Sequence, residues 1–297
     1  MDRSMTSTTF FEREIREQPS VLARVLREGR EAVEVVAERV RHAAPAWVTI
    51  AARGTSDNAA RFGQYALGAN NRLSVALAAP SLFTVYAAPP RLVGSLVLGI
   101  SQSGKSPDIV AVIAEGRQQG AVTIAITNEP GSPLAQAAEH VLCIRAGAEQ
   151  SVAATKTYSA QLMTMAMLSA AIANDAAAWR ALEAIPEQAA RTLERATPWA
   201  KDAAARCANA HRFLVLGRGF NYATAFEIAL KIKETSYIIS EAYSFADFRH
   251  GPAAMVEPEF PVLFIETGAR EEATRTLDLL TERSAHVMTI SDAEGVP

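Results

Sequence analysis

Leu98-Gly99-Ile100-Ser101-Gln102-Ser103-Gly104-Lys105-Ser106-Pro107-Asp108 is the stretch from which the fold can be read. Residues 95–100 (SLVLGI) are a short apolar run suited to a buried strand, and Ile109-Val110-Ala111-Val112-Ile113 opens a helical pattern. Ser106 is placed to cap that helix, with Pro107 as its first residue. A strand that stops at a Ser/Gly loop and restarts as a helix leaves unpaired N–H groups aimed at one point. The helix dipole adds roughly half a positive charge there. Ser101, Ser103 and Ser106 supply hydroxyls around that point, so a phosphate monoester is the natural guest. A polar turn with a well-capped helix explains the loop alone equally well, and both readings stay open at this stage.

Outward from this stretch, apolar strands at 47–52, 73–78, 121–127 and 140–144 alternate with helical patterns, one following residues 53–58 and running through Leu67 and another over about 155–174. Strands separated by single helices imply a parallel sheet covered on both faces. Ahead of them, Phe10 to Val40 suggests two helices broken at Gln18-Pro19. The second half repeats the first. Arg53-Gly54 recurs as Arg218-Gly219, 165 residues on, and residues 124–133 (IAITNEPGSP) recur at 288–297 (MTISDAEGVP), 164 residues on. Two copies of one α/β unit follow. The expected division is an N-terminal helical segment at 1–42, a first domain at 43–176, a helical linker at 177–208 and a second domain at 209–297. The first copy continues for about 40 residues past Pro133, so the second copy's last strand, last helix and any tail are expected to lie beyond Pro297.

Composition narrows the class. Of 297 residues 49% are hydrophobic and 21% charged, enough for two domains with their own cores. The net charge of −3 gives no basic field to hold nucleic acid or an anionic membrane. Cys143 and Cys207 lack metal-ligand spacing, and a reduced cytoplasmic protein without a metal is expected. The first 18 residues are charged and contain no apolar segment of the kind a secretory signal needs. The longest mainly apolar run, 162–173, is too short to cross a bilayer and suits a buried helix. Neither a Walker loop nor a GxGxxG pattern occurs, so no nucleotide cofactor is expected.

Three polar loops fall at the carboxyl ends of the first copy's strands: Gly54-Thr55-Ser56, Ser101 to Ser106, and Val152-Ala153-Ala154-Thr155-Lys156-Thr157. Ligands of open parallel sheets bind at that edge, so the three together outline a hydroxyl-lined phosphate site. The second copy offers Glu227, Lys231 and Glu234, spaced to share one helix face. A solvated ladder of ion pairs is the plain alternative. Against it, Ala225, Phe226, Ile228, Ala229, Leu230 and Ile232 leave little room for a wet face, and charges on such a helix are costly unless paired or used. His250 precedes Gly251-Pro252 in an aromatic loop; a lone histidine is commonly structural, yet this one can titrate near neutral pH. An anion anchor, a carboxylate to move a proton between adjacent carbons and a group to open a ring are what sugar-phosphate isomerisation requires.

Glu14-Ile15-Arg16-Glu17-Gln18-Pro19, Arg53-Gly54-Thr55-Ser56, Ser101-Gln102-Ser103-Gly104, Thr155-Lys156, Ala229-Leu230-Lys231-Ile232-Lys233-Glu234, Glu241-Ala242-Tyr243 and His250-Gly251-Pro252 carry a family resemblance almost end to end. The chain resembles the sugar isomerase (SIS) domain family, in particular the isomerase portion of glutamine–fructose-6-phosphate aminotransferases and the stand-alone glucosamine-6-phosphate deaminases. The resemblance implies an α/β fold of two tandem SIS domains, each a flavodoxin-like three-layer sandwich, with an N-terminal helical segment. It implies that Thr55, Ser56, Ser101, Gln102, Ser103 and Ser106 bind the phosphate and that Gly54, Ala153, Ala154 and Thr155 lie at the sugar. By the same likeness Glu234 is the enediol-forming base, with Lys231 and Glu227 in its pocket. His250 then assists ring opening from a neighbouring subunit, which implies a homodimer with a shared site.

Departures qualify the likeness. Lys105 and Ser106 stand where the aminotransferase pattern has an acidic residue and a threonine, and Ala154 stands where those proteins usually carry serine. Their tail lysine has no counterpart here, and position 2 is Asp2 instead of a glutaminase cysteine. The expected reaction is therefore glucosamine 6-phosphate to fructose 6-phosphate plus ammonia. An aldose–ketose isomerase, a deglycase and a sugar-phosphate sensor without turnover are the alternatives.

Overall fold

The structure is a computed structural model that describes residues 8–268 and 270–292. The repeat segment at 288–297 is thus described only to residue 292, and residues 1–7 of the N-terminal segment lie outside the described residues. The chain divides into two compact units, Met1–Leu193 and Glu194–Pro297.

The first unit begins with α1 (Phe10–Ala43). Thr9 caps it, its Oγ accepting from the Glu12 amide at 3.1 Å, and Ala44 ends it in the left-handed region at φ 45°. The expected break at Gln18-Pro19 is corrected here: the helix runs straight through Pro19. Proline removes the N–H that Ile15 O would accept, but the Gln18 Nε2 donates to that carbonyl at 3.0 Å instead. Val21, Leu22, Val25, Val33, Val36 and Val40 form its buried face.

There follow β1 (Trp47–Ala51), α2 (Thr55–Asn71), β2 (Ser74–Leu77), α3 (Ser81–Thr84), β3 (Ser95–Ile100), α4 (Pro107–Gln118), β4 (Val122–Thr127), α5 (Pro133–Ala137), β5 (His140–Cys143) and α6 (Lys156–Ile172). The strands are parallel in the order β2-β1-β3-β4-β5. That is the flavodoxin-like order, with its switch point between β1 and β3. β3 and β4 are buried along their whole length, as expected for central strands with helices on both faces. One apolar cluster joins α1, α2 and α6 to the sheet, and another joins α4 and α5 to its opposite face. Gly99 permits this second layer to sit close, because a Cβ there would lie 2.7 Å from Ile113 Cγ1 and 2.9 Å from Leu134 Cδ1.

Helix α7 (Ala176–Arg206) spans the division between the units. The second unit continues with β6 (Arg212–Leu216), α8 (Phe220–Ser236), β7 (Ile239–Tyr243), α9 (Phe245–Arg249), a 3₁₀ turn at Pro252–Met255, β8 (Pro261–Glu266), α10 (Arg270–Glu282) and β9 (His286–Ser291). Its sheet is again parallel, in the order β7-β6-β8-β9. The duplication extends to single dihedrals: Gly54 has φ 55° and ψ −130°, Gly219 φ 62° and ψ −129°. In the first unit α6 packs against both α1 and α2. In the second, the face bearing the end of α7 and α8 holds an apolar cavity of about 680 Å³ lined by Trp199, Cys207, Phe213, Ile232, Leu263 and Met288, and burial pushes the Cys207 thiol up. Among the described residues no helix is long and apolar enough to cross a membrane.

Glu14, buried within α1, shows what anchors that helix to the loop before α6. Its carboxylate accepts the amides of Gln150 at 2.5 Å and Ser151 at 3.0 Å. Desolvation by burial would raise its pKa, but bonds from the Ser151 side chain and those two amides, with Lys156 nearby, leave it below the ordinary 4.5. The folded carboxyl is therefore the stronger acid. Its stabilisation is complete above about pH 4.5 and is lost as pH falls through the lower folded value. Glu14→Gln is expected to cost about 1–3 kcal/mol at pH 7 and to shrink that difference as urea titrations are moved below pH 4.5.

Candidate active site

Each polar loop of the first unit is built by a different device. After β1, Gly54 takes its left-handed conformation and α2 begins at once, placing Thr55 and Ser56 in the first turn. A Cβ at Gly54 would meet nothing within 4 Å, so glycine is needed there for the backbone conformation and not for space. Arg53 ties this loop to the next: its Nε and Nη2 lie 2.8 Å and 2.5 Å from Asp108 Oδ2 at the start of α4.

The loop from Ser101 to Ser106 is braced from within. Ser101 is buried, its amide donates to Ile126 O at 3.1 Å, and its Oγ accepts the Gly104 amide at 3.1 Å. Gln102 O accepts both the Asn128 amide and the Thr127 hydroxyl, at 3.0 Å and 3.1 Å. Gly104 sits at φ 61° with so little room that a Cβ would fall 2.0 Å from Ser132 Oγ. Ser106 occupies the N-cap position of α4, as its sequence suggests, but its hydroxyl makes no capping bond. The amides of Gln102, Ser103 and Ser106 have no protein acceptor among the described residues. Ser101 Oγ thus braces the loop; Ser103 is exposed, its Oγ accepting the Lys105 amide at 3.4 Å, Ser106 is half-buried, and Gln102, Ser103, Lys105 and Ser132 help to line a cleft of about 560 Å³.

The third loop turns on a residue that the sequence reading missed. Glu149 accepts the Thr155 amide at 2.8 Å and hydroxyl at 3.1 Å, the Thr157 amide at 3.3 Å, and the Thr157 hydroxyl. It serves α6 as a cap, a role that a carboxylate just ahead of a helix start could have signalled. Thr155 is therefore engaged with Glu149. Ala153 is buried with its carbonyl accepting from the Ser151 hydroxyl at 2.8 Å, and Ala154 is half-buried beside it. Lys156 is buried and its Nζ lies 2.5 Å from Glu17 Oε2 of α1.

In the second unit, α8 brings Glu227, Lys231 and Glu234 together. Lys231 Nζ lies 3.4 Å from Glu227 Oε1 and 2.5 Å from Glu234 Oε2. The side chains are graded outward, at 7%, 18% and 32% exposure respectively. This is a ladder of ion pairs, but one sunk into the helix's apolar surroundings at one end and open at the other. His250 makes no bond to this ladder. It ends α9, its amide donates to Asp247 O at 3.1 Å, its side chain is exposed, and no bond joins it to Glu227, Lys231 or Glu234. Among the described residues there is no group of three or more His, Cys, Asp or Glu side chains placed to hold a metal ion.

Residues 47–171 and 207–297 match the SIS domain family. A glutamine–fructose-6-phosphate aminotransferase (isomerizing) from Aeropyrum pernix is 34% identical over 298 residues, which cover 96% of this chain and 48% of that protein. The chain spans about half the length of the curated relatives it matches, or less. A protein of Silicibacter pomeroyi, proposed to be a phosphosugar isomerase, is 37% identical with a TM-score of 0.90, over 98% of this chain and 88% of that one. The C-terminal domain of glucosamine–fructose-6-phosphate aminotransferase from Francisella tularensis has a TM-score of 0.85 at 24% identity, over 98% and 85% of the two chains. That second likeness is one of fold.

Gly104→Ala tests the cradle. A side chain held at left-handed φ costs about 1–2 kcal/mol, and overpacking against Ser132 about 1–3 kcal/mol more. Chemical denaturation is expected to show a loss in that combined range.

Proposed function

The chain belongs to the SIS domain family, and from that premise we propose that it converts an amino-sugar 6-phosphate, glucosamine 6-phosphate above all, into fructose 6-phosphate and ammonia. The observation that carries this reading is the Glu227, Lys231 and Glu234 ladder. A lysine between two carboxylates on a largely apolar helix has a cost that packing does not explain, and its outer carboxylate keeps one oxygen without a protein partner among the described residues.

The chemistry proceeds from the residues. The free amides of Gln102, Ser103 and Ser106, the hydroxyls of Thr55, Ser56, Ser103 and Ser106, and the N-terminus of α4 hold the phosphate. Ser101 keeps that loop in shape. His250, supplied by a second copy of the chain, moves a proton from the anomeric hydroxyl to the ring oxygen and opens the sugar. Its exposure and its lack of bonds to its own chain's ladder support that origin. Glu234 takes the proton from C2, giving an enolamine, and returns it to C1. Lys231 balances the charge that shifts between carboxylate and substrate. The resulting imine at C2 adds water and expels ammonia, so that one water enters for each ammonia released. With a hydroxyl at C2 the same proton transfer is an aldose–ketose isomerisation, and a panel of sugar phosphates assayed for both ammonia and ketose separates the two.

Glu234→Gln is expected to lower ammonia release by at least about 100-fold, the lower end of what a general base contributes. Turnover of neither kind by wild-type protein that binds the sugar phosphate overturns the enzyme reading. Ser103→Ala is expected to weaken binding of phosphorylated sugar by about 1.5–3 kcal/mol and leave the free sugar unaffected; equal weakening removes the phosphate role. Mixing inactive Glu234→Gln and His250→Ala proteins tests the shared site, because random pairing places one intact site in half the dimers and restores about a quarter of wild-type activity. A mixture with no regained activity assigns His250 to its own chain.

A further inference from the structure

Gln161 is a buried polar residue that the fold does not account for. It lies in the second turn of α6 at 1% exposure, and its Nε2 donates to Ser56 Oγ at 3.1 Å. Its Oε1 is buried and accepts no hydrogen bond from the described residues. An unpaired carboxamide oxygen in the interior is a continuing cost that an apolar side chain of equal length would not incur. The neighbours on α6, including Ala160, Met163, Met165 and Met167, show that such side chains are at home there. Polar exceptions of this kind concentrate where function requires them.

We infer that Gln161 is a positioning residue that makes Ser56 a directed hydrogen-bond donor to the substrate phosphate; the inference rests on the phosphate site proposed above. A serine hydroxyl has one proton and two lone pairs. With Gln161 Nε2 on one lone pair, the proton cannot turn toward Gln161. Among the described residues no protein acceptor takes it either, and it is left for an acceptor arriving from outside. The bond from Gln161 also polarises the hydroxyl, which strengthens its donation to an anion. Without Gln161 the hydroxyl is free to rotate away from an incoming acceptor. Sequence offers no sign of the pairing, since 105 residues separate the partners.

Gln161→Met distinguishes positioning from structural support, because the two roles move stability in opposite directions. If Gln161 positions Ser56, the variant unfolds at the same or a higher temperature. Its affinity for glucosamine 6-phosphate and for inorganic phosphate falls about tenfold, the equivalent of one net hydrogen bond. The loss then appears in KM more than in kcat, and binding of unphosphorylated glucosamine is unchanged. A lower unfolding temperature, or a parallel loss of affinity for phosphorylated and free sugar, overturns the inference. Gln161→Leu provides the same comparison where the methionine variant does not fold. Ser56→Ala is the second arm. Should it leave the preference for phosphorylated sugar intact, the reading of Ser56 as a phosphate ligand fails. Should it abolish that preference while Gln161→Met does not, only the role of Gln161 fails. Combining both substitutions is expected to cost no more than Ser56→Ala alone.

Discussion

The close seating of α4 on β3 is the contact on which the rest of the first unit depends. Gly99 and Gly116 bring strand and helix together, a Cβ at the one meeting Ile113 and Leu134 and a Cβ at the other meeting Val97 at 3.0 Å. With the helix held so near the strand, the chain has only the six residues from Ser101 to Ser106 in which to turn. That turn pairs the amides of Gly104 and Lys105 on its own serine hydroxyls and leaves those of Gln102, Ser103 and Ser106 without a protein acceptor among the described residues, and Gly104 supplies the left-handed step that completes it. The donors left over point away from the sheet at its carboxyl edge, where every parallel strand delivers its loop.

Carboxylates do two kinds of work in the two units. Glu14 and Glu149 are saturated: both oxygens of each accept amides or hydroxyls, and their role is to fasten α1 and α6 to the loop between β5 and α6. Glu234 is different, with one oxygen on Lys231 and the other unengaged among the described residues. A carboxylate whose acceptors are filled is a structural joint. One left half-open on a partly exposed rung is available to take a proton, which is why the same residue type supports a fold in one unit and is the proposed base in the other.

Much of this was legible along the chain. SLVLGI, the Ser/Gly loop and Ser106-Pro107 mark β3 and the start of α4 to the residue, because strand burial and helix starts are set by side chains a few positions apart. Arg53-Gly54 and Arg218-Gly219 exposed the duplication because a left-handed glycine at a strand-to-helix turn leaves few alternatives. The spacing of Glu227, Lys231 and Glu234 likewise predicted one shared helix face. The failure at Gln18-Pro19 was also local in appearance, yet its remedy, a side-chain amide replacing a backbone N–H, is a matter of rotamer and geometry.

Sequence by itself therefore determined the order of elements, the two parallel sheets and the inventory of polar groups at their edges, since periodicity and turn chemistry act over short range. Only the tertiary structure decided which of those groups are already spent. Thr155 is consumed by Glu149 and Lys156 by Glu17, while the hydroxyl oxygens of Ser101, Ser103 and Ser56 accept from Gly104, Lys105 and Gln161 and keep their protons to donate. The physical reason is that a hydrogen bond is allocated by distance in space. Partners such as Lys156 and Glu17, 139 residues apart, meet only once the helices carrying them have packed.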